Sequence, residues 1–317
     1  MTLEAPRGTR RIESRLPLDL DLTLDLFVRG PFDPCTRRVA RETWWRALRT
    51  PLGPATLLLA RDGPNVLASA WGEGSEWALE VAPDLVGAND DLHGFEPSGV
   101  VRDYHRRFPG LRIPRARRVV QCLLLPVLEQ RVTGHEAKQN YHALLRRLGE
   151  PAPGPEPLLL PPDPKRMAKL AGFELRELGI EASRGDVLVE AARRARRLEE
   201  LPALPLADAQ RRLLAIRGIG PWTMAEVARL ALGDADSVSV GDYNLPRLVS
   251  YNLLGHAEDG DDLLLELLAP FSGHRGRVCL LVGLGGRSVP RRGPRRGAGP
   301  LGRERASAFP RRSKPAS

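Results

Sequence analysis

The chain has 317 residues, enough for two or three small domains with a sizeable core. Its three cysteines, Cys35, Cys122 and Cys279, stand far apart in no CxxC pair, which points to a reducing compartment and speaks against a zinc or iron–sulfur site. The net charge of +9 is uneven: residues 283–317 hold ten Lys and Arg against Glu304 alone, and the rest of the chain is neutral, so the basicity belongs to a tail.

The first twenty residues carry no apolar export segment, and no apolar run is long enough to span a bilayer; a cytoplasmic location without membrane contact is expected. Residues 17–30 alternate apolar and acidic side chains with period two, which predicts a strand. Residues 37–50, with Thr43-Trp44-Trp45, read as a short helix. Residues 55–83 are apolar segments broken at Asp62-Gly63-Pro64 and at Gly72-Glu73-Gly74-Ser75, the pattern of an antiparallel meander. An α+β unit with a small antiparallel sheet is placed at 1–97.

From residue 98 the pattern turns helical, so the chain reads as mainly α with an α+β N-terminal part. Residues 102–118 hold seven Arg against one Asp, a solvated face or a contact to a polyanion. Residues 119–149 show helical spacing interrupted at Pro126, and a Pro-rich loop covers 151–164. Short helices follow over 163–170, 173–178 and 183–198, the last with Arg193, Arg194, Arg196 and Arg197 facing water. Residues 204–216 lead into a central motif, and 263–268 and 278–282 read as late helices. The helical domain is placed at 98–282, and 283–317 is expected to be a basic, disordered tail.

The central motif is Gly218-Ile219-Gly220-Pro221-Trp222-Thr223, flanked by apolar periodicity on both sides. It predicts two helices joined by a tight turn, a helix-hairpin-helix spanning 207–233. Glycines permit positive φ and close approach of another backbone, and Pro221 suits the first position of the second helix. The free amides at that helix start then face outward, where a phosphate can accept from them. Ile219 packs inward, and Arg217 and Thr223 flank the contact. A monovalent cation could share the turn carbonyls with the phosphate; no other cofactor and no metal is expected. Asp242 follows a short extended segment and opens a new helix, which on local evidence alone is an ordinary N-cap.

Residues 213–254 resemble the hairpin, Gly/Pro-rich loop and aspartate signature of the helix-hairpin-helix DNA glycosylases. Within these, the chain is most similar to the bacterial 3-methyladenine DNA glycosylase II group. The resemblance implies two helical lobes around a cleft, double-stranded damaged DNA as partner, base flipping, cleavage of the N-glycosidic bond, and a nucleoid-associated monomer. It places Asp242 at the catalytic aspartate. It places Trp222 where lyase-active members carry a lysine, and 213–254 contain no lysine; an aromatic there lines the base pocket of monofunctional enzymes, and Tyr243 is assigned to the same pocket. Two further pocket positions depart from the aromatic pattern, as Glu226 and His274. Gln130-Arg131 match the Gln and following intercalating residue, so Arg131 is the candidate wedge. Three other readings stay open: a noncatalytic hairpin protein in which Asp242 only caps a helix, a glycosylase for other damaged bases, and an architectural or regulatory protein working through its Arg-rich tail.

Overall fold

The structure is a computed structural model that describes residues 5–28, 30 and 32–290. Five strands, β1 (Gly8–Ile12), β2 (Thr36–Ala40), β3 (Thr43–Thr50), β4 (Gly53–Asp62) and β5 (Asn65–Trp71), form one antiparallel sheet in the order β1-β5-β4-β3-β2. The meander expected from residue 55 is β4 and β5. Register sets Trp44 opposite Leu59 and Leu59 opposite Ala68, so alternate residues of three strands line one buried face.

Three N-terminal expectations are overturned. Residues 37–50 form the β2–β3 hairpin, turning at Glu42 with φ +50, because Trp44, Arg46 and Leu48 bury alternate positions against β4. Within the stretch expected to be a strand, Leu20–Leu24 form a helix, α1, followed by a 3-10 turn, Asp25–Phe27. The Asp19 carboxylate caps it by accepting from Leu22 N at 3.0 Å. The buried residues Leu20, Thr23, Leu24 and Phe27 are spaced i, i+3, i+4, i+7, a helical stripe hidden within the Leu/Asp alternation. Residues 75–85 are helix α2 (Ser75–Leu85), which lies on the sheet and buries Ala78 and Ala82.

The helical region contains α3 (Gly99–Arg107), α4 (Val119–Glu129), α5 (Gly134–Leu148), α6 (Pro164–Met167), α7 (Gly172–Glu177), α8 (Ala182–Arg193), α9 (Ala195–Leu198), α10 (Leu206–Leu214), α11 (Pro221–Val227), α12 (Leu245–Leu254), α13 (Asp261–Leu268) and α14 (Arg275–Gly285). Pro126 does not interrupt α4 as expected. The helix is buried along nearly its whole length, and that packing outweighs the one missing N–H. A π turn, Ala228–Leu232, extends α11, and its open carbonyls at Leu230 and Ala231 accept from Ala116 N and Arg117 N at 2.8 and 3.0 Å. The last helix runs to Gly285, so 283–285 are helix rather than tail; 291–317 lie outside the described residues.

Two large apolar cores, beside a small cluster of Ala47, Leu158 and Leu160, organise these elements. One joins the sheet to α2, α4, α5, α8, α10 and the hairpin, and includes Leu57, Leu123, Leu144, Leu188, Leu213 and Ile219. The other joins α3, α12, α13 and α14 through Tyr104, Val249, Leu264 and Leu281, and takes in Val238. α11 belongs to the first core and the segment 238–242 to the second, so the residues between them stand where the two cores meet. Among the described residues, no helix is long and apolar enough to cross a membrane.

Candidate active site

The helix-turn-helix at 206–227 forms as its residues dictate. Gly218 has φ +89, and a Cβ there would lie 2.3 Å from Val187 Cγ2 on α8, so this position requires glycine twice over. Gly220 differs: it is extended, and a Cβ would meet nothing within 4 Å. Its lack of a side chain leaves open space in front of the first turn of α11, where Pro221 occupies the first position. Ile219 is buried at 5% exposure, packing inward as expected, and Arg217 is exposed.

Gln130 and Thr223 are placed differently from the expectation that both reach DNA. The Gln130 amide donates to Gly218 O at 2.9 Å and to Thr223 Oγ1 at 2.8 Å, tying the end of α4 to the hairpin turn. Thr223 is 2% exposed, so its hydroxyl serves the fold. Arg131, next to Gln130, is exposed and has φ +56. A non-glycine residue held in the left-handed region stores strain of about 1–3 kcal/mol. The Gln130 clamp thus sets the position from which Arg131 projects.

Asp242 is half-buried and accepts three N–H donors. The Trp222 indole Nε1 donates to Oδ2 at 3.0 Å. Asn244 N and Leu245 N, at the start of α12, donate to Oδ1 at 2.8 and 2.9 Å. One oxygen therefore caps the helix, and the other is directed by the tryptophan. The neighbouring Gly241, at φ +90, donates its N–H to the Asp261 carboxylate at 3.1 and 3.2 Å. The carboxylate lies at a helix N-terminus, where the dipole favours negative charge.

The other proposed pocket residues are not brought around Asp242 as open walls. Tyr243 is 87% exposed. Glu226 is paired with Arg229 at 3.0 and 3.3 Å and accepts from Ser239 Oγ at 2.5 Å, so it presents no free carboxylate. His274 is 6% exposed; its Nε2 meets His93 O at 3.0 Å, and Arg277 Nε donates to its Nδ1 at 3.2 Å. Arg277 in turn grips Asp90 with two bonds of 2.7 and 2.8 Å, both side chains almost wholly buried, so this group ties α14 to the 90–95 loop. The basic stretch 102–118 is partly internal too: Arg112 is 1% exposed, Arg117 pairs with Asp84 and Arg118 with Glu199.

Ser239, Arg229 and Asp261 were not singled out from sequence. The signal for Arg229 was present in the i, i+4, i+7 spacing of Trp222, Glu226 and Arg229. Ser239 and Asp261 gave no local signal. Behind the network, burial pushes the Cys279 thiol up to about 12, with Arg229, Glu226 and Asp242 near it, so it stands as a neutral wall. Among the described residues no group of three His, Cys, Asp or Glu is arranged to hold a metal ion.

The five-stranded antiparallel sheet and the helical bundle with its glycine hairpin share their fold with solved DNA glycosylases. The 3-methyladenine DNA glycosylase of Archaeoglobus fulgidus superposes with a TM-score of 0.73 at 19% identity, covering 86% of this chain and 97% of that one. An 8-oxoguanine glycosylase/lyase of Clostridium acetobutylicum superposes with a TM-score of 0.68 at 11% identity, covering 89% of this chain and 98% of that one. In sequence, the Bacillus subtilis protein YfjP, named as a candidate DNA-3-methyladenine glycosylase, is 24% identical over 153 residues, 47% of this chain and 52% of that protein. The chain thus matches about half the length of that relative. No family model matches it.

Proposed function

We propose that the chain is a monofunctional DNA glycosylase that flips alkylated purines such as 3-methyladenine out of double-stranded DNA and hydrolyses their N-glycosidic bond. The observation that carries this reading is the Trp222–Asp242 pair, an aromatic ring whose N–H donates to a carboxylate beside a hairpin whose Gly220 leaves room for a phosphate. Extrusion of a base costs roughly a few kcal/mol. Stacking on Trp222 returns roughly 1–3 kcal/mol, and a cationic alkylated purine adds cation–π attraction.

Such a base is already a good leaving group, so a second acidic residue is not needed. The Asp242 carboxylate stabilises the oxocarbenium-like sugar by charge and can orient a water molecule. Trp222 occupies the place where the resemblance puts a lyase lysine, which argues for hydrolysis over a lyase step even though one structural neighbour is named a glycosylase/lyase. Arg131, exposed beside the Gln130 clamp, fills the gap left in the stack.

A second reading, a noncatalytic DNA-binding protein, is favoured by one observation: Asp242 Oδ1 does cap α12. Incubating alkylated duplex with the wild type and with Asp242→Asn, and measuring free bases by chromatography, separates the two. Release by the wild type alone, with duplex binding kept in the variant, supports the glycosylase. Saturable binding without release by either supports the second reading.

A further inference from the structure

The face of α11 toward residues 238–242 carries more than the proposed chemistry requires. Trp222 and Glu226 on α11, and Arg229 in the π turn that extends it, are spaced i, i+4, i+7. Facing them, Ser239 and Asp242 are three residues apart. The two sets engage at two heights. At the outer one, Trp222 Nε1 donates to Asp242 Oδ2. At the inner one, Ser239 Oγ donates to Glu226 Oε1 at 2.5 Å and accepts from Arg229 NH2 at 2.8 Å, while Arg229 closes on both Glu226 oxygens.

Besides the Trp222 bond, three anchors hold the segment that ends in Asp242. The Gly241–Asp261 contact is exposed, and water competes with it. The bonds of Asp242 Oδ1 to the start of α12 fix its rotation about that helix end. Ser239 is the buried anchor, at 3% exposure, and its ionic partners are 15% and 9% exposed. A buried pair costs desolvation, and apolar residues of similar volume often serve stability as well. What a two-point guanidinium–carboxylate grip adds is direction.

We infer that Glu226 and Arg229 are positioning residues for Asp242. Acting through the Ser239 hydroxyl, they fix the depth of the 238–242 segment against α11, and so the place of the carboxylate relative to a base lying on Trp222. This rests on the reading of Asp242 as the charged centre of base release. Misplacing a reacting group by about 1 Å can cost about a hundredfold in rate, so the clamp works on the chemical step and leaves the Gly218–Gly220 turn untouched.

The test uses the full chain. Ser239→Ala removes the hydroxyl and leaves the ion pair; Ser239→Thr restores it; Arg229→Lys keeps the charge but loses the two-point grip. Three quantities are read: the Trp222 indole N–H resonance, assigned with Trp222→Phe; affinity for undamaged duplex; and single-turnover base release. In Ser239→Ala the resonance should move toward its solvent-exposed position, release should slow by roughly 10–100-fold, and affinity should hold. Ser239→Thr should restore both signals, and Arg229→Lys should show the same pattern. An unmoved resonance with an unchanged rate overturns the proposal, as does a rate loss matched by an equal loss of duplex affinity or folding. If the wild type releases no base from any lesion, the glycosylase reading fails, and the resonance still decides whether the clamp exists.

Discussion

Trp222 and Asp242 are joined by an indole N–H to carboxylate bond of 3.0 Å, which sets the ring edge toward the aspartate, and the tryptophan is half-buried. The two functions of the ring are therefore separable. Trp222→Phe keeps an aromatic face and removes the donor. A hydrogen bond to a charged group is worth about 1.5–3 kcal/mol, so base release should fall by roughly 10–100-fold with little change in affinity for lesion-bearing duplex. Trp222→Ala should lose affinity as well, by about the 1–3 kcal/mol of a stacked base. Single-turnover rates and equilibrium binding on one lesion duplex check both; a Phe variant at the wild-type rate would show that the bond is idle.

The two hairpin glycines should answer differently to alanine. At Gly218 the positive φ and the Val187 methyl leave no room, so Gly218→Ala should cost about 1–3 kcal/mol of stability, read from urea midpoints. At Gly220 a methyl meets nothing, and stability should change by less than about 0.5 kcal/mol. The same methyl stands where a phosphate would approach the α11 amides, so duplex affinity should drop. Wild-type binding by Gly220→Ala would place the phosphate elsewhere.

That contrast shows what the sequence makes legible. A hairpin turn and a capped helix start are local, so Gly218, Pro221 and Asp242 can be read from their neighbours. Partners across the fold cannot. Gln130 is fixed by groups 88 and 93 residues away, and His274 by a carbonyl 181 residues away. Glu226 reads as a charged pocket wall until Arg229 and Ser239 are seen to neutralise it. At 17–30 the composition misleads, because Leu at every second position satisfies a strand pattern and a helical stripe together, and packing against the sheet decides for the helix.

Gln130 and Arg131 form one device with separable parts. Gln130→Ala leaves a buried hydroxyl and a carbonyl short of a donor, at a cost of about 1–3 kcal/mol. Arg131→Gly relieves the left-handed backbone and should raise the melting temperature slightly. If Arg131 is the wedge, the glycine variant should bind duplex with an unchanged salt dependence yet fail to flip a fluorescent base analogue. A fall of about one in the salt slope would assign it to a phosphate instead.

The three thiols should be silent in the folded chain. Burial raises Cys35 well above the usual range and Cys122 and Cys279 to about 12. At mildly alkaline pH an alkylating reagent should label none of the three in native protein and all three in denaturant. Cys279 backs the Glu226–Arg229–Ser239 network, so its labelling rate measures the opening of α14 behind the site, and rapid native labelling would contradict the packing described.

Asp236 gives the pH dependence a definite sign. It accepts from Arg275 N at 3.0 Å, from Nε at 2.9 Å and from NH2 at 2.5 Å, pinning the first residue of α14. Burial opposes its charge, but these bonds prevail and hold the carboxyl below its usual 3.8. A carboxylate whose folded value lies lower than its unfolded one stabilises fully above the unfolded value, and that contribution is lost as pH falls through the folded one. Asp236→Asn should therefore melt at a lower temperature than the wild type at neutral pH, and the gap should close as pH falls below 3.8. Melting curves across an acid series would show it. A gap that stays constant would mean that the shape of Asp236, not its charge, holds the start of α14.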